Sequence, residues 1–99
     1  MDKTILLEFS YRVKTYYAIV RIKTNNQENC YQITIMSGEL ERALYGNHII
    51  IEEDGVLQSA PYISKTEVRE LRHCIETALC HHLQVNGFQI SLQEYADLN

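Results

Sequence analysis

The stretch TILLEFSYRV, residues 4–13, decides the fold, because polar and apolar side chains alternate along it. Every odd position of this stretch is apolar or aromatic, and the even positions are polar except Leu6. A period of two is typical of a β-strand with one buried face. Residues 16–23 repeat the alternation with the parity reversed, since the even positions now carry the inner apolar set. The sequence therefore predicts two neighbouring strands that bury the same face of a sheet.

A two-residue connection at Lys14-Thr15 accounts for the change of parity and predicts a β-hairpin. In this register Glu8 lies opposite Arg21, and Arg12 lies opposite Tyr17, on the outer side of the hairpin. The register thus combines an opposite-charge pair and a cation–π pair with an apolar inner face. Because Lys-Thr is a poor dipeptide for a primed turn, one long bent strand remains the alternative.

A long amphipathic helix is predicted over residues 64–85. Ser64 with Glu67 three residues later forms a capping box, and Asn86-Gly87 ends the helix. Apolar residues at helical spacing form one stripe, and Arg72 and Glu76 are assigned to the exposed side. The other predicted elements are a loop over 25–29, a strand over 31–35, a short helix over 37–46, a strand over 48–53, a turn at 54–55, a short strand over 56–59 and a last strand over 88–92.

These elements follow one another in the order β-β-β-α-β-β-α-β. A chain of 99 residues is too short for two separate cores, so we expect a single domain over residues 1–99. Hydrophobic residues make up 45% and charged residues 22%, close to the average for a globular protein. The predicted fold class is α+β, with a mostly antiparallel sheet of four to six strands and the long helix packed on one face.

The sequence predicts a cytoplasmic protein with no membrane segment. The longest strictly apolar run is residues 49–51, far shorter than the roughly 18 residues that cross a bilayer. The first residues lack the apolar run of a signal peptide. Three cysteines, Cys30, Cys74 and Cys80, are an odd number, and the last two are too far apart on one helix for a disulfide. We therefore expect three reduced thiols.

The outer side of the first hairpin is the candidate binding surface. Residues 1–36 carry a net charge of +2 and residues 37–99 a net charge of −6. Basic side chains with an aromatic ring among them are typical of sheets that bind a nucleic-acid backbone and stack a base. An isoelectric point of about 5.5 and the nearby Glu8 argue against nucleic acid and favour a protein partner. The candidate residues are Arg12, Lys14, Tyr17, Ile19, Arg21 and Lys23.

Metal and catalytic chemistry find little support in the sequence. His73 and Cys80 lie two helical turns apart, about 10 Å, so one ion cannot bind both. Cys80 has histidines beside it, but it lies near the C-terminal end of its helix, where the dipole disfavours a thiolate. The four glycines lie in cap and turn contexts and form no phosphate loop. We expect no metal, no cofactor and no catalytic residue.

Three functions follow from these patterns, in order of support. The first is a non-catalytic cytoplasmic interaction or regulatory module that self-associates through the outer hairpin face or an edge strand. It alternatively binds another protein, through the face that carries Tyr17, Ile19 and Arg21 or through the acidic surface of residues 39–54. The second is single-stranded nucleic-acid binding on the basic and tyrosine-bearing face. The third is a small enzyme or ligand-binding domain, which requires a pocket that the sequence alone does not reveal.

Overall fold

The computed structural model of the chain describes residues 3–58, 63 and 65–93. Within these residues the chain forms six strands and two helices, in the order that the sequence predicts. Their bounds are β1 (Lys3–Tyr11), β2 (Lys14–Asn25), β3 (Glu28–Ile35), α1 (Gly38–Ala43), β4 (Ile49–Glu53), β5 (Val56–Leu57), α2 (Thr66–Val85) and β6 (Ser91–Leu92). The fold class is α+β, as predicted.

The six strands described form one sheet, in which each strand lies beside the next one in the sequence. Neighbouring strands are antiparallel, except that β5 and β6 are parallel because α2 connects them. Helix α2 packs across one face of the sheet, which we call the inner face. The core between them includes Leu7, Phe9, Val20, Ile33, Ile50, Leu57, Leu71, Ile75 and Leu79.

The first hairpin turns at Arg12 and Val13, two residues earlier than predicted. Both turn residues adopt positive φ, 51° and 63°. The predicted turn at Lys14-Thr15 is therefore wrong, and so is the alternative of one bent strand. Alternation could not distinguish the two registers, because a shift by an even number of residues keeps the same side chains on the inner face. In the observed register Phe9 lies opposite Tyr16, and their rings stack with centroids 5.8 Å apart.

The second hairpin is tighter than predicted. Strands β2 and β3 both extend into the loop expected over residues 25–29, and a two-residue turn at Asn26-Gln27 joins them. Asn26 adopts a φ of 51°, which asparagine tolerates better than most residues. Thr24 pairs with Asn29, and Thr24 Oγ1 donates a hydrogen bond to Asn29 Oδ1 at 2.7 Å. This side-chain contact extends the ladder beyond the apolar part of the strands.

The shorter elements follow their sequence signals. Ser37 caps α1 by accepting a hydrogen bond from the amide of Leu40 at 3.5 Å. The predicted turn at Asp54-Gly55 is confirmed, with φ values of 53° and 81° that suit a primed turn. Strand β5 covers the start of the predicted strand over 56–59, and residue 59 lies outside the described residues.

Helix α2 ends at Asn86-Gly87 as predicted, with Gly87 at a φ of 91°. Ser64, the predicted capping residue, lies outside the described residues, and Lys65 occupies the N-cap position without a side-chain cap hydrogen bond. The apolar stripe of the helix is buried in the core as expected. None of the helices in the described residues combines the length and the apolar character that crossing a membrane requires.

Two charged residues of α2 are buried, contrary to the prediction that they lie on its exposed side. Glu76 is 0% exposed and Arg72 is 7% exposed. Arg72 Nε donates a hydrogen bond to Glu76 Oε2 at 2.7 Å, and Arg72 Nη1 donates one to the carbonyl oxygen of Asn47 at 3.2 Å. The two opposite charges one helical turn apart enter the core together because each compensates the other. Through the hydrogen bond from Arg72 to Asn47, the pair also connects α2 to the chain segment before β4.

Candidate interaction surface

The outer face of the sheet lies opposite α2 and consists of the alternate residues of β1 to β4 that point away from the core. Buried and exposed positions alternate strictly over residues 6–11 of β1 and 17–21 of β2. The described elements leave this face open to solvent, since Leu6 is 60% exposed and Met36, directly after β3, is 63% exposed. The sheet is therefore covered by a helix on one side only in the described part of the chain.

An apolar patch occupies the part of the outer face nearest the first turn. Leu6 lies directly opposite Ile19 in the β1–β2 register. The amide of Met36 donates a hydrogen bond to the carbonyl oxygen of Tyr17 at 2.9 Å, which places these two residues side by side. We call Leu6, Tyr17, Ile19 and Met36 the outer apolar patch. Contiguous apolar surface of this kind on a soluble protein typically marks an interaction site.

Charged residues lie beside the outer apolar patch and farther along β2. Glu8 lies opposite Tyr17, at the end nearest the first turn. Arg21 and Lys23 continue the exposed parity of β2 toward the other end. With a rise of about 3.3 Å per residue, Tyr17 and Arg21 are about 13 Å apart along the strand. The outer face thus carries Glu8 beside Tyr17, Arg21 and Lys23 farther along β2, and the carboxylates of Glu28 and Glu53, which pair across β3 and β4, beyond Lys23.

Four of the six predicted binding residues lie on the outer face of β2 and two do not. Arg12 lies in the turn, and its Nη2 is 3.3 Å from Glu70 Oε1 on α2. This hydrogen bond raises the pKa of Arg12. Lys14 begins β2 on the parity of the inner face. The residues that share the outer face of β2 are Tyr17, Ile19, Arg21 and Lys23.

Both cross-strand pairs predicted for the outer side are wrong, because the register differs from the predicted one. Glu8 lies opposite Tyr17 rather than Arg21. The guanidinium of Arg12 lies over the ring of Tyr11, 5.2 Å from its centroid, rather than over Tyr17. Two of the four predicted cations therefore leave the outer face. This weakens the nucleic-acid hypothesis, since affinity for a phosphate backbone depends on the number of cations that reach it.

The residues of α2 considered for metal binding or thiol chemistry are not arranged for either. Glu76 is held in the core by Arg72. Among the described residues, no group of three or more histidine, cysteine or acidic side chains is placed to hold an ion. Burial raises the pKa of the thiols of Cys74 and Cys80, which disfavours the reactive thiolate. Cys80 Sγ lies 3.9 Å from the carbonyl oxygen of Ile90 and packs as a small core residue.

The inner face also carries a polar row that the sequence pattern did not predict. Thr24, Asn29 and Glu52 lie opposite one another across β2, β3 and β4, and we call them the inner polar row. Asn29 Nδ2 and the hydroxyl of Tyr31 donate hydrogen bonds to Glu52 Oε1, at 3.0 and 2.7 Å. The alternation along the strands was the sequence signal for this row. Once the loop is shortened to two residues, Thr24 and Asn29 continue the inner positions of β2 and β3.

The two faces of the sheet are therefore chemically different. The outer face carries an exposed apolar patch with charged ends, and the inner face ends in a row of hydrogen-bonded polar side chains. No protein-family model, curated protein or solved structure matches this chain.

Proposed function

We propose that this chain is a non-catalytic protein-interaction module of the cytoplasm that forms a homodimer through the outer faces of two sheets. The observation that carries the proposal is the outer apolar patch, on a sheet whose inner face is already covered by α2. Burial of apolar surface is the dominant favourable term in most protein association. A second copy of the chain supplies a matching patch of the same shape and polarity.

The charges at the ends of the outer face favour a second copy as the partner. In a face-to-face dimer the two-fold axis lies in the plane of the interface, and the same surface is used by both copies. An axis that crosses the strands near Ile19 exchanges the two ends of the face. Glu8 and Tyr17 of one copy then lie at the end that carries Arg21 of the other, while Leu6 and Ile19 of the two copies meet in the middle. The charges nearest this axis, Glu8 and Arg21, are thus opposite in sign between the two copies.

The size of the outer face suits a dimer. Strand β1 has nine residues, and nine residues at about 3.3 Å each span about 30 Å. Four strands about 4.8 Å apart span about 19 Å, so β1 to β4 present a flat area of about 570 Å². Side chains make the accessible area larger than this projection. A standard interface buries about 800 Å² on each partner, which is close to what the face offers.

The thiols support the cytoplasmic part of the proposal. Cys30, Cys74 and Cys80 are all free in the folded chain. Free cysteines are typical of a reducing compartment. The burial and raised pKa of two of them support a packing role rather than a nucleophilic one.

The test is the solution mass, measured by light scattering after size-exclusion chromatography over a range of concentrations. The wild type should have twice the 11.6 kDa mass of the chain, and a Tyr17→Glu/Ile19→Lys variant should be a folded monomer. The matched control is Val85→Lys, which charges an apolar side chain of α2 that is 70% exposed but far from the outer face. This control should remain dimeric, and circular dichroism verifies that all three proteins are folded.

A wild type that is monomeric at every concentration would overturn the proposal, and so would a dimer that persists in the double variant. Persistence of the dimer would point to pairing along the open edge of β1 instead. The competing function is single-stranded nucleic-acid binding, with a base stacked on Tyr17 and phosphates at Arg21 and Lys23. If the wild type is a monomer that binds oligonucleotides in a salt-dependent way, and Arg21→Glu abolishes this binding, nucleic-acid binding replaces dimerisation as the proposed function.

A further inference from the structure

A cavity opens on the inner side of the sheet, between the β2–β3 hairpin and the last turn of α2. Its volume is about 660 Å³, within the range of roughly 300 to 1,000 Å³ that is typical of small-molecule sites. The beginnings of β1 and β3, the end of β2 and the segment after α2 form its walls. The cavity and the outer apolar patch lie on opposite faces of the sheet, so binding here does not depend on the dimer.

One side of the cavity is apolar. Ile5 and Ile22 line it from the sheet, and Leu83 lines it from α2. Phe88 also lines it, with about half of its surface exposed, and its amide donates a hydrogen bond to the carbonyl oxygen of Leu83 at 3.0 Å. An exposed aromatic ring whose backbone is held beside an opening can close over a bound apolar group. These side chains offer dispersion contacts to a small aromatic or aliphatic body.

A second side of the cavity is polar but uncharged, and it is fixed in place. Thr24, Asn29 and Tyr31 line it. Their hydrogen bonds to one another and to Glu52 hold the three side chains in one arrangement. Burial and the bond to Glu52 raise the pKa of Tyr31, so its hydroxyl stays neutral. A preorganised polar wall positions a ligand without the entropic cost of ordering the side chains.

The cationic side chain at the mouth of the cavity, Lys3, favours an anion there. Lys3 and the imidazole of His82 line it, and no carboxylate is among its described lining residues. The carboxylate of Glu52 lies behind this wall, where it accepts hydrogen bonds from Asn29 and Tyr31. Lys3 Nζ lies 5.9 Å above the Phe88 ring centroid, between the apolar part of the cavity and solvent. The carbonyl oxygens of residues 82–84, in the last turn of α2, accept hydrogen bonds from the amides of residues 86–88, so these three acceptors are already engaged.

We propose that this cavity binds a small amphipathic carboxylate. The apolar body of the ligand packs between Ile5, Ile22 and Leu83, with Phe88 across the opening. The carboxylate lies at the mouth and pairs with Lys3 Nζ. A neutral ligand of the same shape keeps the apolar contacts and loses the ion pair, so charge as well as shape determines selectivity.

The test is a titration of the full chain followed by amide chemical shifts in two-dimensional NMR spectra. The probes are phenylacetate and octanoate, each compared with its uncharged amide, phenylacetamide and octanamide. At least one acid should produce saturable shifts at residues 3–5, 22–24 and 83–88. It should bind about fivefold more tightly than its amide, which corresponds to about 1 kcal/mol for a partly exposed ion pair.

Variants separate the ion pair from a general effect of charge. Lys3→Gln should weaken the acid about fivefold and leave the amide unchanged, since it removes one exposed ion pair. Lys14→Gln is the matched control, because it removes the same charge near the first turn, away from the cavity. Phe88→Ala should weaken acid and amide equally.

Three results would overturn the proposal. The first is the absence of saturable shifts with both acids up to their solubility. The second is equal affinity for acid and amide. The third is an equal effect of Lys3→Gln and Lys14→Gln, which would make the binding a response to net charge.

Discussion

Replacing Arg72 by methionine removes the hydrogen-bonded partner of the Glu76 carboxylate inside the core and leaves the longer contact to His73, whose Nδ1 lies 3.9 Å from Glu76 Oε1. Glu76 is 0% exposed, its Oε2 loses the 2.7 Å hydrogen bond to Arg72 Nε, and its Oε1 accepts none in the described structure. Breaking a buried pair from one side typically costs about 3 to 5 kcal/mol. A domain of this size has a free energy of unfolding of about 5 to 15 kcal/mol, so Arg72→Met should remove a large part of it.

The double variant Arg72→Met/Glu76→Leu should recover most of that loss, because it removes the stranded charge and fills similar volume with apolar atoms. We expect it within about 1 kcal/mol of wild type, the remainder reflecting the lost hydrogen bond to the Asn47 carbonyl oxygen. The assay is urea unfolding at neutral pH, followed by circular dichroism. The control is Arg69→Met, the same substitution at an exposed position of α2, which should cost less than about 0.5 kcal/mol.

Two results would refute this account of the buried pair. A loss below about 1 kcal/mol for Arg72→Met would show that Glu76 reaches water or another partner. A double variant as unstable as the single one would show that the cost comes from lost packing of the arginine rather than from the uncompensated charge.

The other predictions concern turns and a buried hydroxyl. Val13→Gly should raise the free energy of unfolding by about 1 kcal/mol, because Val13 is fully exposed and strained at a φ of 63°. Thr15→Gly, inside β2, should lower the free energy of unfolding by about 1 kcal/mol. If thermal melts showed the opposite signs, the turn would lie at Lys14-Thr15, as the sequence predicted. Gly55→Ala should lower the free energy of unfolding in urea by about 2 kcal/mol, because the residue has a φ of 81° and the new Cβ lies 3.0 Å from a backbone carbonyl oxygen. Gly46→Ala, at a φ of 83° in open space, should lower it by about 1 kcal/mol. Equal losses for the two variants would show that the contact at Gly55 has no effect. The contribution of Tyr31 to stability should be retained up to about pH 10, the ordinary tyrosine pKa, and be lost above it, because the raised pKa of Tyr31 makes the tyrosine of the unfolded chain ionise first. Urea unfolding of Tyr31→Phe should show a shallower alkaline loss, and an unchanged slope would contradict this assignment.

The alternation of residues 4–13 and 16–23 was sufficient to predict which side chains the first two strands bury. It was insufficient to fix their register, because Arg12-Val13 and Lys14-Thr15 are both poor turn dipeptides and both preserve the inner face. The stacking of Phe9 on Tyr16 is a contact between strands, and a single strand's pattern does not reveal it.

In helix α2, too, the sequence pattern predicted part of the burial, and tertiary packing determined the rest. Apolar spacing predicted the buried stripe of α2, but a charged residue counts as exposed in any hydrophobic pattern. Arg72 and Glu76 continue the four-residue spacing from Val68 to Cys80, and all four are buried. An opposite-charge pair at this spacing beside an apolar stripe was the available signal. Whether such a pair enters the core depends on its neighbours, here the carbonyl oxygen of Asn47.

The candidate surface was partly predictable. Tyr17 and Ile19 follow from the parity of β2, and Leu6 from that of β1. Met36 lies beside them because the residue after β3 still pairs with β2, and the sequence alone does not reveal this pairing. The cavity required still more, because its walls come from three strands and from the segment after α2.

The pairing of two outer faces is best examined by an isotope-filtered NMR experiment on a mixture of labelled and unlabelled wild-type chains. It detects contacts between protons of two different copies. The account predicts intermolecular contacts from the methyl groups of Leu6 and Ile19 to the outer face of the other copy. Intermolecular contacts confined to α2 or to the edge of β1, or none from these methyl groups, would contradict it.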